Sequence, residues 1–147
     1  MFRISGYYVV SRLLEGDFLD YNAAIPKISK TTVKINTRSL TDSVERTSLL
    51  ISDRLRSPIR LVVTENKVQL SCSTAMGKAH DEVDCEVSGE AVSMGFNNKY
   101  LLDALKASDC DMVRLEINGA LSPMRMIPME GDSFLFLVLP VRVKNDD

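Results

Sequence analysis

The chain has no tryptophan, one histidine and three cysteines among its 147 residues. The cysteines, Cys72, Cys85 and Cys110, are odd in number and lack the short paired spacing of a zinc site. This pattern argues against a disulfide framework and against a bound metal. We expect reduced thiols in the core or in strands of a cytosolic protein, and no cofactor.

Long apolar runs are also absent. No stretch approaches the roughly 20 residues of a membrane-spanning helix. Residues 1–10 contain one arginine but neither a continuous apolar run nor a small-residue cleavage site, so they lack the pattern of a signal peptide. These absences favour a cytoplasmic location and argue against a membrane partner.

Motifs that carry chemistry are equally scarce, because the sequence has no glycine-rich phosphate loop and no metal-ligand spacing. The only histidine, His80, lies in an acidic stretch that is typical of a solvent-exposed strand face. His80, Asp84 and Cys85 would supply residue types for nucleophilic catalysis, but no motif orients them. We therefore predict that the chain is not an enzyme.

An excess of positive charge is missing as well, since the formal net charge is -2. Tight binding of nucleic acid over a whole surface normally needs a basic domain. Any contact with DNA is therefore expected to be weak, local or topological.

The chain has the length of one domain, or of one domain with the remnant of another. Residues 2–14 alternate apolar with polar or small residues, with a break at Gly6, and this alternation predicts strands. Residues 17–30 lack periodicity and contain Pro26, which holds the residue before it in an extended conformation. This segment is predicted to be a linker.

A repeated pattern begins after the linker. Residues 32–38 alternate as a strand, and residues 39–55 show helical spacing, with Ser39 or Thr41 as the expected N-cap. The positions at helical spacing are Leu40, Val44, Thr47, Ile51 and Leu55. Three strands are predicted to follow, at residues 59–64, 68–73 and 80–88.

The same order recurs in the second half of the chain. A strand at 92–96 precedes a helix at 97–108, for which Asn97 is the expected N-cap. Leu101, Leu102 and Leu105 share one face of this helix, and the final predicted strands are residues 112–117, 122–129 and 133–143. Two strand-helix-strand-strand-strand units predict an α+β domain with two helices packed on antiparallel sheet.

Three segments make the pattern specific: FLDYNAAIPK (18–27), MGFNNKYLLDAL (94–105) and FLVLPVRV (136–143). In order and spacing they resemble signature regions of the bacterial DNA sliding clamp, the beta subunit of DNA polymerase III. The resemblance implies the DNA-clamp fold. It also implies the remnant strands of a middle domain at 1–16, a linker at 17–30, the third clamp domain at 31–143 and a tail at 144–147. Because a clamp protomer has three such domains, a fragment or a shortened gene is expected.

The function implied by the resemblance is that of a processivity factor. Such a clamp encircles duplex DNA as part of a homodimeric ring and docks short peptides, rich in Gln, Leu and Phe, from polymerase subunits, the clamp loader and repair proteins. The polymerase label belongs to the holoenzyme that the clamp serves. An alternative is a stand-alone α+β interaction module that dimerises through sheet edges; its mass in solution and peptide binding would separate it from an enzyme.

The terminal strand predicted at 133–143 is apolar on both faces. Leu135, Leu137, Leu139 and Val141 alternate with Phe134, Phe136 and Val138. The helices are expected to cover one face, and the other is either covered by a loop or the N-terminal strand or left open for a partner.

The resemblance favours the open face and implies a peptide-binding cleft. Its positions are Leu19, Ala23, Ala24, Asn97, Tyr100, Pro123, Met124, Leu137, Leu139, Val141 and Arg142. Aliphatic walls suit Leu and Phe side chains, while Arg142 and Asn97 suit backbone or Gln groups. Many family members have proline and basic residues where this chain has Leu19, Asn22 and Ala23. The difference is expected to alter the specificity at the edge of the cleft. Since part of the cleft belongs to the middle domain, we expect weakened peptide binding.

Leu50 and Ile51 lie near the end of the first predicted helix, about 100° apart. Ile51 fits the core stripe, whereas Leu50 is rotated away from it and belongs either to a wide apolar core face or to a subunit contact. The resemblance implies the second, at the head-to-tail interface where the third domain meets the first domain of the next protomer. An exposed sheet edge and Leu50 would then favour self-association.

The two helices also carry the expected DNA-facing residues. In the family the helices line the central hole of the ring, which implies that Arg46, Arg54, Lys99 and Lys106 face duplex DNA. The alternative is that each is an ordinary solvated helix charge. Acidic residues on the first helix reduce the positive charge of this surface. Weak contact with DNA suits a clamp that slides along it. Aromatic residues interleaved with basic ones, as in single-strand binders, are absent.

Overall fold

The structure, a computed structural model, describes residues 1–51 and 57–143. Within those ranges two α-helices are packed with antiparallel strands. The strands and helices are β1 (Phe2–Ile4), β2 (Tyr7–Val9), β3 (Thr31–Asn36), α1 (Thr37–Ser48), β4 (Ile59–Val63), β5 (Lys67–Thr74), β6 (Gly77–Asp84), β7 (Glu86–Gly89), β8 (Val92–Phe96), α2 (Asn98–Ala107), β9 (Met112–Ile117), β10 (Met124–Pro128), β11 (Phe136–Val138) and β12 (Pro140–Val141). A short 3-10 helix spans Tyr21–Ala23.

The internal duplication is visible in the strand order. Sheet I has the order β11-β10-β9-β3-β7, and sheet II has the order β12-β8-β4-β5-β6. In each repeat the first strand and the last short strand lie side by side in one sheet, while the three strands after the helix belong to the other sheet. The predicted α+β fold with two helices on antiparallel sheet is therefore confirmed.

The last predicted strand of each repeat is in fact two strands that lie in different sheets. Residues 80–88 divide at Cys85 into β6 of sheet II and β7 of sheet I, and residues 133–143 divide at Leu139 into β11 of sheet I and β12 of sheet II. The prediction of single strands was wrong because a strand that crosses between sheets keeps its apolar alternation. Pro140 is compatible with the crossing because β12 is an edge strand, where a missing N–H is tolerated.

Helix α1 begins earlier than the sequence indicates. Asn36 is its N-cap, and the Asn36 side chain accepts a 2.9 Å hydrogen bond from the backbone N–H of Ser39. The expectation that Ser39 or Thr41 caps the helix is therefore wrong. The Thr41 hydroxyl instead donates to the carbonyl of Thr37 at 2.7 Å. The last helical residue is Ser48, so Ile51 follows the helix, and Leu55 lies outside the described residues.

Helix α2 agrees with its prediction. Asn97 is the N-cap, with its side chain accepting from the backbone N–H of Lys99 at 2.9 Å. Leu101 and Leu105 are buried, and Leu102 is half-buried against the core.

One continuous core joins the helices to both sheets. Leu40 of α1, Leu101 of α2, Leu61 of sheet II and Leu115 of sheet I are all fully buried in it. Burying one such side chain contributes about 1.5–3 kcal/mol, so the helices are held mainly by their apolar faces. Within the described part of the chain, no helix has the length and apolar character needed to span a bilayer.

The N-terminal residues form a small hairpin. Strands β1 and β2 pair antiparallel, and Ser5 and Gly6 between them both have positive φ, at 45° and 88°. Positive φ at both central residues is typical of the two-residue turns that match strand twist. This turn accounts for the predicted break at Gly6. Residues 1–24 are exposed throughout, and their assignment to a middle domain stays a prediction.

The capping assignment predicts that Asn36→Ala destabilises the chain by about 1 kcal/mol, because one N–H in the first turn of α1 loses its acceptor. Ser39→Ala is the matched control and should change the free energy of unfolding by less than about 0.5 kcal/mol. Urea unfolding followed by circular dichroism measures both. A larger loss for Ser39→Ala than for Asn36→Ala would show that the cap is misassigned.

Candidate functional site

An apolar depression lies between α2 and the terminal segment, residues 134–143. Tyr100, Asp103, Ala104 and Ala107 form one wall and residues 135–139 form the other, around a volume of about 470 Å³. We call it the α2 groove. Leu139 and Tyr100 are each 64% exposed, so apolar surface is open to solvent at its rim. An exposed apolar concavity of this size is typical of a binding site.

A second depression, the β12 groove, lies where the terminal segment pairs with β8. It is lined by Arg60 of β4, residues 93–95 of β8, loop residues 120 and 121, and residues 141–143, and its volume is about 380 Å³. A Cβ atom at Gly95 would lie only 2.7 Å from the backbone carbonyl oxygen of Val141. The glycine therefore permits the terminal segment at Val141 and Val143 to approach β8 closely, and this close approach forms one side of the groove.

The structure divides the predicted cleft residues among several places. Tyr100, Leu137 and Leu139 line the α2 groove. Val141 and Arg142 line the β12 groove. These positions are therefore adjacent along the terminal segment but belong to two depressions.

Two further predicted cleft residues have structural roles. Met124 is fully buried and pairs with Val138, so its side chain belongs to the core and offers no surface to a peptide. Its assignment to the cleft lining is corrected on this ground. Asn97 uses its side-chain oxygen to cap α2, while Pro123 is half-buried beside β10.

The predicted cleft residues from the linker are placed elsewhere. Leu19 precedes the 3-10 helix, Ala23 is its last residue and Ala24 follows it; all three are exposed and line neither groove. The linker does reach sheet I, because Arg125 of β10 donates to the carbonyl of Pro26 at 3.1 Å. This separation could not be predicted, since the linker lacks a periodic pattern.

Leu50 and Ile51, the predicted subunit contact, are half-buried after the end of α1. Leu50 packs towards the β5–β6 turn, where its Cδ1 would be 3.9 Å from a Cβ atom at Gly77. Leu49 is 82% exposed and is the more accessible of the two leucines. An apolar surface therefore adjoins the edge strand β6, with Leu49 at its most exposed point.

Two of the predicted DNA-facing residues are held in ion pairs. Arg46 contacts Asp81 of β6 at 2.7 Å, and Lys106 contacts Glu45 of α1 at 2.7 Å. Burial alone would raise the pKa of the Asp81 carboxyl, but hydrogen bonds led by the Arg46 guanidinium hold this pKa below its ordinary value. The hydrogen bond that the Lys106 ammonium donates to the Glu45 carboxylate raises the pKa of Lys106. These pairs reduce the positive charge that the helices present.

Of the other two predicted DNA-facing residues, the structure describes only Lys99. Lys99 is exposed in the first turn of α2. Arg54 lies outside the described residues. No positive stripe forms along the described helix surfaces, since Asp42, Glu45 and Asp103 are exposed between the basic side chains.

Of the residues considered for nucleophilic catalysis, Cys85 is the candidate nucleophile. Cys85 is half-buried at the crossing from β6 to β7, and burial, followed by the charge of Asp84, raises the pKa of its thiol to about 11. The thiol is therefore protonated near neutral pH, which makes it a poor nucleophile. Among the residues that the structure describes, no three His, Cys, Asp or Glu side chains group as metal ligands.

Comparisons with known proteins agree with the fold. The family model described as "DNA polymerase III beta subunit, C-terminal domain" matches residues 22–142. The beta sliding clamp of Staphylococcus aureus is 33% identical over 144 residues, which are 97% of this chain and 38% of the relative. The chain thus spans well under half the length of the curated relatives it matches.

Solved structures give the same result. The DNA polymerase sliding clamp of Bacillus subtilis superposes with a TM-score of 0.86 at 30% identity, covering 91% of this chain and 36% of the relative. The sliding clamp of Bartonella birtlesii, solved bound to griselimycin, superposes with a TM-score of 0.84 at 27% identity, covering 90% of this chain and 36% of the relative.

Proposed function

The chain belongs to the family of the C-terminal domain of the DNA polymerase III beta subunit, and from this premise we propose that it serves as the partner-docking part of a bacterial sliding clamp. Such a clamp is the processivity factor of the replicative polymerase and has no catalysis of its own. The observation that carries the proposal is the uncovered α2 groove, where Leu135, Leu137 and Leu139 lie opposite Tyr100.

The α2 groove has the chemistry needed for a short apolar peptide. Its strand wall, residues 135–139, is aliphatic and aromatic throughout, and Ala104 and Ala107 leave room on the helix side. Burying a Leu or Phe side chain there would contribute a binding free energy of about 25 cal/mol for each Å² of apolar surface removed from water. The Tyr100 hydroxyl supplies a polar contact at the rim. The griselimycin complex of the relative from B. birtlesii supports ligand binding by clamps of this family.

The partners proposed for this groove are short peptides of polymerase subunits, the clamp loader and repair proteins. These partners are replication proteins, so we place the chain in the cytoplasm. Leu19, Ala23 and Ala24 would reach such a peptide only if the linker moved towards the α2 groove, and we propose them as an outer rim. Pro123 and Asn97 would border the peptide from β10 and α2.

The ring and its DNA are proposed on separate observations. Leu49, Leu50 and Ile51 beside the edge strand β6 form an apolar surface that suits the neighbouring subunit of a homodimeric ring. The pairing of Arg46 with Asp81 and of Lys106 with Glu45 supports weak contact with duplex DNA, since both cations are already compensated. A clamp that is retained on DNA by encirclement does not need tight contacts.

Peptide docking predicts that Leu137→Asp weakens binding of a fluorescent peptide rich in Gln, Leu and Phe by about 10-fold or more, because a carboxylate would be desolvated in the apolar groove. Fluorescence anisotropy gives the Kd. The matched control is Met76→Asp, an equally apolar and 73% exposed residue that follows β5, on the far side of sheet II from β12. Equal losses for both variants, or no loss for Leu137→Asp, would contradict the proposal.

The ring contact predicts that copies of this chain associate through the surface around Leu49. Sedimentation velocity should show that Leu49→Asp shifts the chain towards monomer, while Leu121→Asp, a 79% exposed control in another loop, does not. Unchanged association of the Leu49 variant would refute the ring contact.

A linear duplex oligonucleotide should not co-sediment with the chain at about 0.15 M salt, where exposed charges are strongly screened. Stable co-sedimentation of DNA would refute the weak contact with duplex DNA.

A further inference from the structure

The linker is attached to the outer face of sheet I at Pro26. Nη1 of Arg125, in β10, donates to the Pro26 carbonyl oxygen at 3.1 Å. Pro26 is half-buried, whereas residues 1–24 are exposed throughout. Met124 and Met126, the neighbours of Arg125 in β10, are fully buried, so the Arg125 side chain lies on the face of sheet I opposite the core. The chain therefore changes from exposed to attached at Pro26.

A largely buried carboxylate holds Arg125 in position for this contact. Nη1 of Arg125 is 3.1 Å from one carboxylate oxygen of Glu116, its partner across the β9–β10 pair. Nη1 carries two N–H groups, so one can point at each of its two acceptors. The other carboxylate oxygen of Glu116 lies 3.3 Å from Nε of Arg114. The Glu116 side chain is only 16% exposed, and an ion pair in such a setting is screened less than a surface pair, so it keeps the guanidinium in one orientation.

A second attachment holds the other end of the same short segment. The backbone N–H of Lys30 donates to the carbonyl of Ile117 in β9 at 2.9 Å. Between the two attachments Ile28 is 68% exposed, so apolar burial of this side chain contributes little to holding the segment. The ring of Pro26 fixes its own φ and restricts the residue before it, which adds stiffness. The order of residues 26–30 therefore depends on the hydrogen bonds at its two ends.

The hydrogen bonds before Pro26 are local. In the 3-10 helix the backbone N–H of Ala24 donates to the carbonyl of Tyr21 at 3.0 Å, and in the hairpin β1 pairs with β2. These bonds stay within residues 1–24. Along the described chain, Pro26 is thus where a hydrogen bond first ties the backbone to sheet I.

We propose that Arg125, held by Glu116, is a latch that fixes the linker at Pro26, so that residues 1–24 move as an arm about a pivot immediately before it. Arg125 is a positioning residue, because it sets the point and the direction in which the arm leaves sheet I. The inference goes beyond the proposed docking function and is independent of it, since the latch requires no bound partner.

Backbone ¹⁵N relaxation tests the latch, because order parameters distinguish rigid backbone, at about 0.85, from flexible backbone, below about 0.6. The wild-type chain should give rigid values at residues 27–29 and lower values at residues 1–24. Arg125→Met should lower the order parameters of residues 27–29 to below about 0.6, because the Pro26 carbonyl loses its donor. Arg114→Met is the matched control: it removes the other arginine from the same carboxylate and should leave residues 27–29 rigid.

A second variant, Glu116→Gln, keeps Arg125 but replaces the carboxylate with a neutral amide, which holds the guanidinium less tightly. Its order parameters at residues 27–29 should fall between those of the wild type and of Arg125→Met. If Arg125→Met does not fold, this variant decides the question, and unchanged order at residues 27–29 would overturn the latch.

Three other outcomes would also contradict the proposal. Rigid residues 27–29 in a folded Arg125→Met chain would show that Arg125 serves only the stability of sheet I. Equal loosening in Arg114→Met would show that the effect is not specific to the donor of the Pro26 carbonyl. Order parameters at residues 1–24 of the wild type as high as those of β9 and β10 would overturn the pivot.

Discussion

The terminal segment, residues 134–143, must place its backbone hydrogen bonds in two sheets, and this requirement shapes both grooves beside it. β11 pairs with β10 in sheet I, and β12 pairs with β8 in sheet II. Because backbone groups cannot be buried unpaired at low cost, the crossing fixes the segment at both ends. Val138 is turned into the core while Leu139 stays 64% exposed. Both grooves result from this one crossing.

The internal duplication shows that the crossing itself does not make an apolar groove. The first repeat crosses between sheets at Cys85, as the second does at Leu139. In the first repeat the flanking strand β6 presents Lys78, His80, Glu82 and Asp84 to solvent. In the second, the corresponding surface is aliphatic. The same backbone arrangement thus yields a charged edge in one repeat and an apolar groove in the other, so the side chains set the character of each surface.

The sequence predicted what depends on periodicity and missed what depends on the path of the chain. Leu40 and Leu101 followed from helical spacing, and Asn97 from its position before a helix. Asn36 was missed because Ser39 and Thr41 are equally suitable capping residue types. The crossing at Leu139 was missed because alternation continues through it. Arg60 has no signal of its own, since an exposed arginine on a strand is ordinary. The groove that it lines depends on the close approach of the terminal segment to β8 at Gly95, which the sequence pattern does not reveal.

Hydrogen–deuterium exchange measured with and without a saturating peptide tests most directly whether the uncovered side of the terminal segment receives a partner. Our account predicts slower exchange confined to residues 98–107 and 134–143, since these form the walls of the α2 groove and continue into the β12 groove. Protection centred on another surface, such as residues 1–24 or 67–84, with unchanged exchange at 134–143, would contradict it.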